Sequence, residues 1–490
     1  MSTWTTLPSS GKPKSSFHYE KTSPIDGRSV LKFYGASEQA VQEVCQRAMD
    51  AHLKWKQIPV PKRQELLLEL YEEIKNNKTQ IADLIQLEVG KIRTEAEGEV
   101  QEALDMALFC IGLCRTLGGQ IFPSERESHF MFENWQPLGV CGVITAFNFP
   151  VAVWAWNALI AITCGNSVVW KPSELTPATS IFIAELCESV CQKHGFSGLL
   201  SVALGGAETG RFLVESELVR LVSATGSVKM GEEVTKVCAP KFKKLILELG
   251  GNNAVVIHQD ANLDLALRAV YFGIVGTAGQ RCTSIRRLIL HRSVKAEFIN
   301  RLKSAFEKVT IGDPRKPETK MGPLITDAAA TKFEEAVKIC VEKGNLLTGG
   351  RRLEMFGSRN YVEPTLVEVS EYFDLIDEET FAPLAYVVCY SDLEEAIEIN
   401  NRVPQGLSSA IFTENLSVAQ KFIQESDCGL VNVNTSTSGA EIGLAFGGEK
   451  KTGGGREAGS DAWKQYMRRQ SCVVNWSGKL PLSQNVQMDI

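Results

Sequence analysis

The stretch 143–170, VITAFNFPVAVWAWNALIAITCGNSVVW, holds a short apolar run (Val143–Ala146), a continuous apolar segment of helical length (151–163) and a second β-rich run (Ser167–Trp170). Short β-rich runs alternating with helical segments are the mark of a parallel sheet with helical crossovers. The rhythm continues through 178–193, Leu199–Leu204, Val219–Ser223 and Leu245–Leu247. A second series follows: Ala254–Ile257, Leu288–His291, helices over 294–308 and 328–343, Leu384–Tyr390, Ala410–Phe412 and Gly429–Val433. The chain is therefore expected to be α/β, with two Rossmann-like parallel-sheet domains meeting near Gly250-Gly251.

Upstream, 37–117 reads as a helical lead-in, with Val41, Val44, Ala48 and then Leu66, Leu67, Leu70 and Ile74 at helical spacing. Residues 118–137 open on Gly118-Gly119 and alternate apolar with polar residues, which fits an antiparallel ribbon detached from the core. The last helical stretch is read at 457–468, and the tail 471–490 starts strand-like and turns polar, like an arm. The expected division is 1–117 with 138–250 as the first domain, 251–470 as the second, and 118–137 with 471–490 as ribbon and arm. Neither ribbon nor arm has the apolar surface to stand alone, so a homo-oligomer, dimer or tetramer, is expected.

The 490 residues are 44% hydrophobic, enough for a sizeable core in each domain, and the net charge is −6. The charges are scattered without a basic block, which speaks against a nucleic-acid partner. The longest apolar run, 151–164, is shorter than the roughly 18 residues a bilayer span requires, so no membrane partner is expected. The Ser- and Thr-rich start, MSTWTTLPSSGKPKSSFHYE, has no Arg and no amphipathic period, and reads as a floppy leader. Thirteen cysteines include no CxxC, and the one CxxH, Cys191 to His194, lacks a second ligand pair. Reduced thiols in a cytoplasmic protein without a metal site fit this usage.

Several short strings carry possible chemistry, each with a plainer reading beside it. Thr277-Ala-Gly-Gln-Arg-Cys282-Thr-Ser284 sets a thiol after a small-residue turn and beside Arg281, a setting that can favour thiolate; the plainer reading is a packing cysteine. Glu248 ends the apolar run 245–249, where desolvation would raise its pKa toward a general base's range, unless solvent reaches it. Asn148, between Phe147 and Phe149 after a strand, is either an oxyanion-hole donor or a helix cap. Lys171 and Glu174 follow a buried-type strand, where a doubly wound sheet meets a cofactor's ribose. Gly226-Ser227-Val-Lys-Met-Gly231 offers a turn and a helix start suited to a pyrophosphate, although GxxxxG is not the GxGxxG fingerprint.

In this order, Asn148, Lys171-Pro-Ser-Glu174, Gly226–Gly231, Glu248-Leu-Gly-Gly, Cys282, Glu379-Thr-Phe381-Ala-Pro and Phe446-Gly-Gly resemble the aldehyde dehydrogenase superfamily over about residues 20–480. The resemblance implies NAD as cofactor, 138–250 as its domain and 251–470 as the catalytic one. It implies Cys282 as nucleophile, Asn148 with the Cys282 N–H as oxyanion hole, and Glu248 as the base that activates water for thioester hydrolysis. Thr145, Ala146, Phe147, Lys171, Ser173, Glu174, Gly206, Gly226, Ser227, Gly231, Leu249, Glu379 and Phe381 are the implied NAD residues. Glu174 would accept the 2′-hydroxyl and repel a 2′-phosphate, favouring NAD over NADP. Ala224 departs from the Phe that many relatives carry.

Ile144–Val153, Gly250-Gly-Asn-Asn253, Gly276–Cys282 and Asn434–Gly443 resemble more closely the aminoadipate-semialdehyde dehydrogenase (antiquitin) branch. That branch implies an aldehyde with an amino-acid head, in exchange with piperideine-6-carboxylate, in lysine breakdown. Glu102 and Arg281 are the implied head-recognition residues; Glu102 would meet the ammonium. Ser438 and the backbone N–H groups of Gly439 and Ala440 would suit the carboxylate, and Phe149, Trp156 and Phe446 would wall the methylene stem. Two other readings stand beside it: broad aldehyde detoxification with the same mechanism, and a non-catalytic protein that keeps the fold.

Overall fold

A computed structural model describes residues 18–369, 374–439 and 441–480. Most of the leader, Ala440 and the last ten residues of the arm lie outside the described residues.

The first sheet runs in the order Gly453–Gly454, Lys244–Glu248, Val219–Thr225, Val140–Ile144, Ser167–Lys171, Leu200–Val202, parallel except for the first pair. Val140–Ile144 and Ser167–Lys171 are buried along their whole length, which is why they lack polar alternation. Between them, helix Ala152–Thr163 is apolar on every side because it is covered twice, by the sheet and by the long helix Arg93–Thr116.

The second sheet has the order Asn345–Thr348, Thr365–Glu368, Leu384–Tyr390, Ile285–His291, Asn253–Ile257, Ser408–Phe412, Leu430–Val433. It is parallel apart from the Asn345–Thr348 edge. Both Rossmann-like units are thus present, with Gly250-Gly251 as the step between Glu248 and Asn253.

The chain departs from the expected division at its end. Residues after Val433 leave the second sheet: Gly453–Gly454 join the first, and Trp463, Tyr466 and Met467 complete its core. The helix read at 457–468 is a short 3-10 turn, Ala462–Tyr466. Left-handed backbone at Gly459 (φ 76°) and Ser460 (φ 40°) prevents a helix from starting at Glu457. The ribbon consists of Ile121–Phe122, His129–Pro137 and Met467–Asn475, so the arm's strand begins four residues earlier than the tail reading placed it.

Candidate active site

In an open parallel sheet, ligands meet the carboxyl ends of the strands where the winding reverses. In the first sheet that reversal lies between Val140–Ile144 and Val219–Thr225. The neighbouring carboxyl ends deliver Thr145, Lys171, Gly226 and Glu248. The second sheet presents its opposite edge: Cys282 precedes Ile285–His291, and Asn253 Nδ2 fixes it by donating to the carbonyls of Cys282 (2.7 Å) and Ser284 (2.8 Å). The two edges enclose a cavity of about 500 Å³ that Glu248 and Thr225 line from one side and Cys282 and Thr283 from the other.

The turn before Cys282 is strained. Thr277 (φ 53°), Ala278 (φ 51°) and Gly279 (φ 70°) are consecutive left-handed residues, a conformation that costs a non-glycine residue about 1–2 kcal/mol. Only glycine fits at 279, since a Cβ there would strike the Ala382 carbonyl and the Pro383 nitrogen. Four bonds, three of them long-range, hold the turn and its surroundings. Glu95 accepts from the Thr277 N–H (2.8 Å), and Arg286 donates to the carbonyls of Gly279 (2.7 Å) and Ala382 (2.8 Å). Asn148 Nδ2 donates to the Gln280 carbonyl (2.9 Å). Asn148 keeps its second amide hydrogen, and the Cys282 N–H has no partner among the described residues, so the two donors expected of an oxyanion hole are free.

Arg281 does not activate the thiol. Its Nη2 lies 3.1 Å from Glu95, its Nε donates to Thr277 Oγ1 (3.0 Å), and its plane rests on Phe272 and Phe149. Burial instead pushes the Cys282 thiol up to about 12, and the charges of Glu248, Glu379 and Glu457 add to the effect. The cation beside Cys282 in sequence is thus spent on Glu95, correcting the expectation that it favours thiolate.

Glu248 is 4% exposed and neither of its oxygens completes a hydrogen bond. Burial, then Glu457, hold its carboxyl well above the usual carboxylate range, while Arg456 and the Gly448 N–H pull the other way. Gly447 lets it lie there, because a Cβ would sit 2.7 Å from Oε1. Glu457 accepts from Asn157 (2.6 Å) and Thr225 (2.9 Å) through Oε1, leaves Oε2 unpartnered, and is lifted by burial to about 7. A carboxyl lifted to about 7, as Glu457 is, exchanges protons near neutral pH.

The residues expected to hold NAD fit it. Glu379 Oε1 is buried without a hydrogen bond, 3.6 Å from Arg286, and its other oxygen occupies the space that a Cβ on Gly250 would take. Phe381 meets Phe147 edge-on at 5.9 Å. Ser227 caps helix Val228–Cys238, Gly231 admits the Leu249 side chain, and Gly206 stands at the start of Ala207–Glu215. Lys171 Nζ lies 3.4 Å from Glu174 Oε2, while Ser173 caps its own turn and Thr145 accepts from Trp170. An acid with an open oxygen and a helix start at Gly206 that no side chain caps suit a dinucleotide's hydroxyls and pyrophosphate. Ala146 follows two residues after the strand end at Ile144.

On the other side, Glu102, Arg281, Ser438, Phe149, Trp156 and Phe446 all line the cavity, with Trp156 and Phe446 packed at 5.0 Å. Burial lifts the Glu102 carboxyl to about 7, although Lys91 draws it down. Glu102 is therefore no solvated helix acid, contrary to its polar sequence surroundings. Gly439 corrects an expectation: its N–H donates to the Ser436 carbonyl (3.1 Å), closing a turn, and it does not line the cavity.

Sequence reasoning missed Glu457, Thr225, Asp105 and Glu441, which also line the cavity. An acid in the glycine-rich string Gly453–Gly455-Arg-Glu457 was the available signal for the first.

Comparison with known proteins agrees with this geometry. The profile of the aldehyde dehydrogenase family matches residues 12–472. Aldehyde dehydrogenase family 7 member A1 of Malus domestica is 46% identical over 95% of this chain and 92% of its own length. Alpha-aminoadipic semialdehyde dehydrogenase of Mus musculus is 44% identical, over 95% of this chain and 87% of its own. Among solved structures, PnpE in complex with nicotinamide adenine dinucleotide superposes with a TM-score of 0.91 at 30% identity, covering 95% of each chain. An NAD-dependent aldehyde dehydrogenase of Sinorhizobium meliloti gives the same score and identity over 96% of this chain and 94% of its own.

Proposed function

The chain belongs to the aldehyde dehydrogenase family, and from that premise we propose that it oxidises α-aminoadipate semialdehyde, in exchange with piperideine-6-carboxylate, to α-aminoadipate in lysine breakdown. It is an NAD-dependent enzyme. As its S–H proton passes to solvent water, the Cys282 sulfur forms a bond to the aldehyde carbon, and the oxygen gathers charge toward the Asn148 amide and the Cys282 N–H. NAD, when bound, supplies the acceptor for the hydride that leaves that carbon. Glu248 takes a proton from the water that then attacks the thioester, so the carbon–sulfur bond breaks, the carboxylate departs and the thiol is restored.

One observation carries the choice of aldehyde: a half-buried carboxyl, Glu102, and a guanidinium, Arg281, share a cavity otherwise walled by Phe149, Trp156 and Phe446. Such walls suit a methylene stem, and the two charges suit an ammonium and a carboxylate. With Gly439 turned away, Ser438 and the Nη1 edge of Arg281, which has no partner among the described residues, take over the carboxylate. A substrate panel followed by NADH absorbance tests the reading. We expect a higher kcat/KM for the semialdehyde than for aliphatic or betaine aldehydes; a flat profile would make broad detoxification the better description.

The ribbon exposes Ile121, Phe122, Phe130, Val473, Val474 and Trp476, which supports pairing with a second copy as a homo-oligomer. No described helix is long and apolar enough to cross a membrane. Thirteen free thiols, most of them buried, favour a reducing, cytoplasmic setting.

A further inference from the structure

The long helix Arg93–Thr116 turns three carboxylates, Glu95, Glu99 and Glu102, toward the site at spacings of four and three residues. Glu102 lines the cavity. Glu99 accepts from the N–H groups of Val151 (2.7 Å) and Ala152 (3.3 Å), just after Asn148-Phe149-Pro150, and from Lys91 (2.7 Å). Glu95 turns instead to the segment before Cys282, where it meets the Thr277 N–H and Arg281.

We infer that Glu95 is a positioning residue for Cys282 and Arg281 together. One oxygen, Oε1, accepts from both the Thr277 N–H (2.8 Å) and Arg281 Nη2 (3.1 Å). The Thr277 bond pins the first residue of the left-handed turn, five residues before the thiol. The arginine bond, with Arg281 Nε on Thr277 Oγ1 (3.0 Å), fixes the guanidinium so that only its Nη1 edge is left for a ligand. Both partners are well covered, the Arg281 side chain 16% and the Glu95 side chain 10% exposed, so solvent does little to loosen the pair.

Helix, turn and arginine consequently move as one body. The distance from the head-recognising groups to the sulfur is then set by Glu95, which touches neither substrate nor cofactor. Misplacing a reacting atom by about 1 Å can cost a hundredfold in rate. The turn half stands on geometry alone; the arginine half rests on the amino-acid-head reading.

The test compares Glu95→Ala and Glu95→Gln in the full-length enzyme, with propanal and with α-aminoadipate semialdehyde. Glu95→Ala is expected to lower kcat for propanal by about tenfold to a hundredfold. Glu95→Gln keeps an acceptor for Thr277 and should recover most of that loss. Both variants should raise KM for the semialdehyde by about tenfold, because both lose the charged clamp on Arg281. Parental kcat for propanal in Glu95→Ala would overturn the turn role. Equal kcat losses in both variants with equal drops in Tm would reduce Glu95 to a fold-stabilising acid and overturn the proposal. An unchanged KM in both would overturn the arginine role. A parent enzyme that does not prefer the semialdehyde would sink the substrate reading, while the propanal arm still decides the role of Glu95.

Discussion

The buried and open ends of the cavity use the same side chain for opposite purposes. At the buried end Glu248 and Glu457 are 4% and 1% exposed, have oxygens without partners, and are driven toward neutrality by desolvation. At the open end Glu441 and Leu444 are exposed, and Glu102 is intermediate in exposure between the two ends. Burial rather than residue type decides whether a glutamate moves protons or attracts a cation.

The largest effect should come from breaking the buried end. Glu248→Gln removes the base for hydrolysis, and steady-state turnover should fall by about 10²- to 10⁴-fold. The first equivalent of NADH per site should still appear as a burst in stopped flow; its disappearance would move Glu248 to an earlier step. A smaller effect is expected at the intermediate carboxyl. Below pH 7 a Glu102 lifted to about 7 is mostly neutral and gives up its attraction for an ammonium. KM for the semialdehyde should therefore rise as pH falls through about 7, and Glu102→Gln should flatten that dependence while lowering kcat/KM by about tenfold to a hundredfold. A pH profile unchanged by the substitution would remove Glu102 from recognition. The smallest effect belongs to Glu174, whose side chain is 39% exposed. Glu174→Gln should narrow the preference for NAD over NADP by about tenfold, read from dissociation constants by fluorescence titration.

The same contrast explains what the sequence disclosed. Cys282, Glu248 and Asn148 each stand in an unbroken string at a strand end, so period, composition and position coincide at one place. Both sheets were readable for the same reason: their strands are covered on both faces, and uninterrupted apolar runs record that directly. Glu95, Glu99 and Lys91 carry no local mark, because their partners lie up to 186 residues away or, for Lys91, are an acid and an aromatic face. Glu457 was absorbed into a helix reading because helical propensity says nothing of the left-handed residues at 459 and 460. The free Gly439 N–H was expected from a string that does not reveal a turn closing on Ser436.

The return of the chain end to the first sheet sets a timetable for biosynthesis. Residues 140–248 leave the ribosome well before the Gly453–Gly454 edge and the cover given by Trp463 and Tyr466. Until then the nascent chain carries an unpaired strand beside Lys244–Glu248 and an uncovered apolar face, the kind of surface that recruits chaperones or other chains.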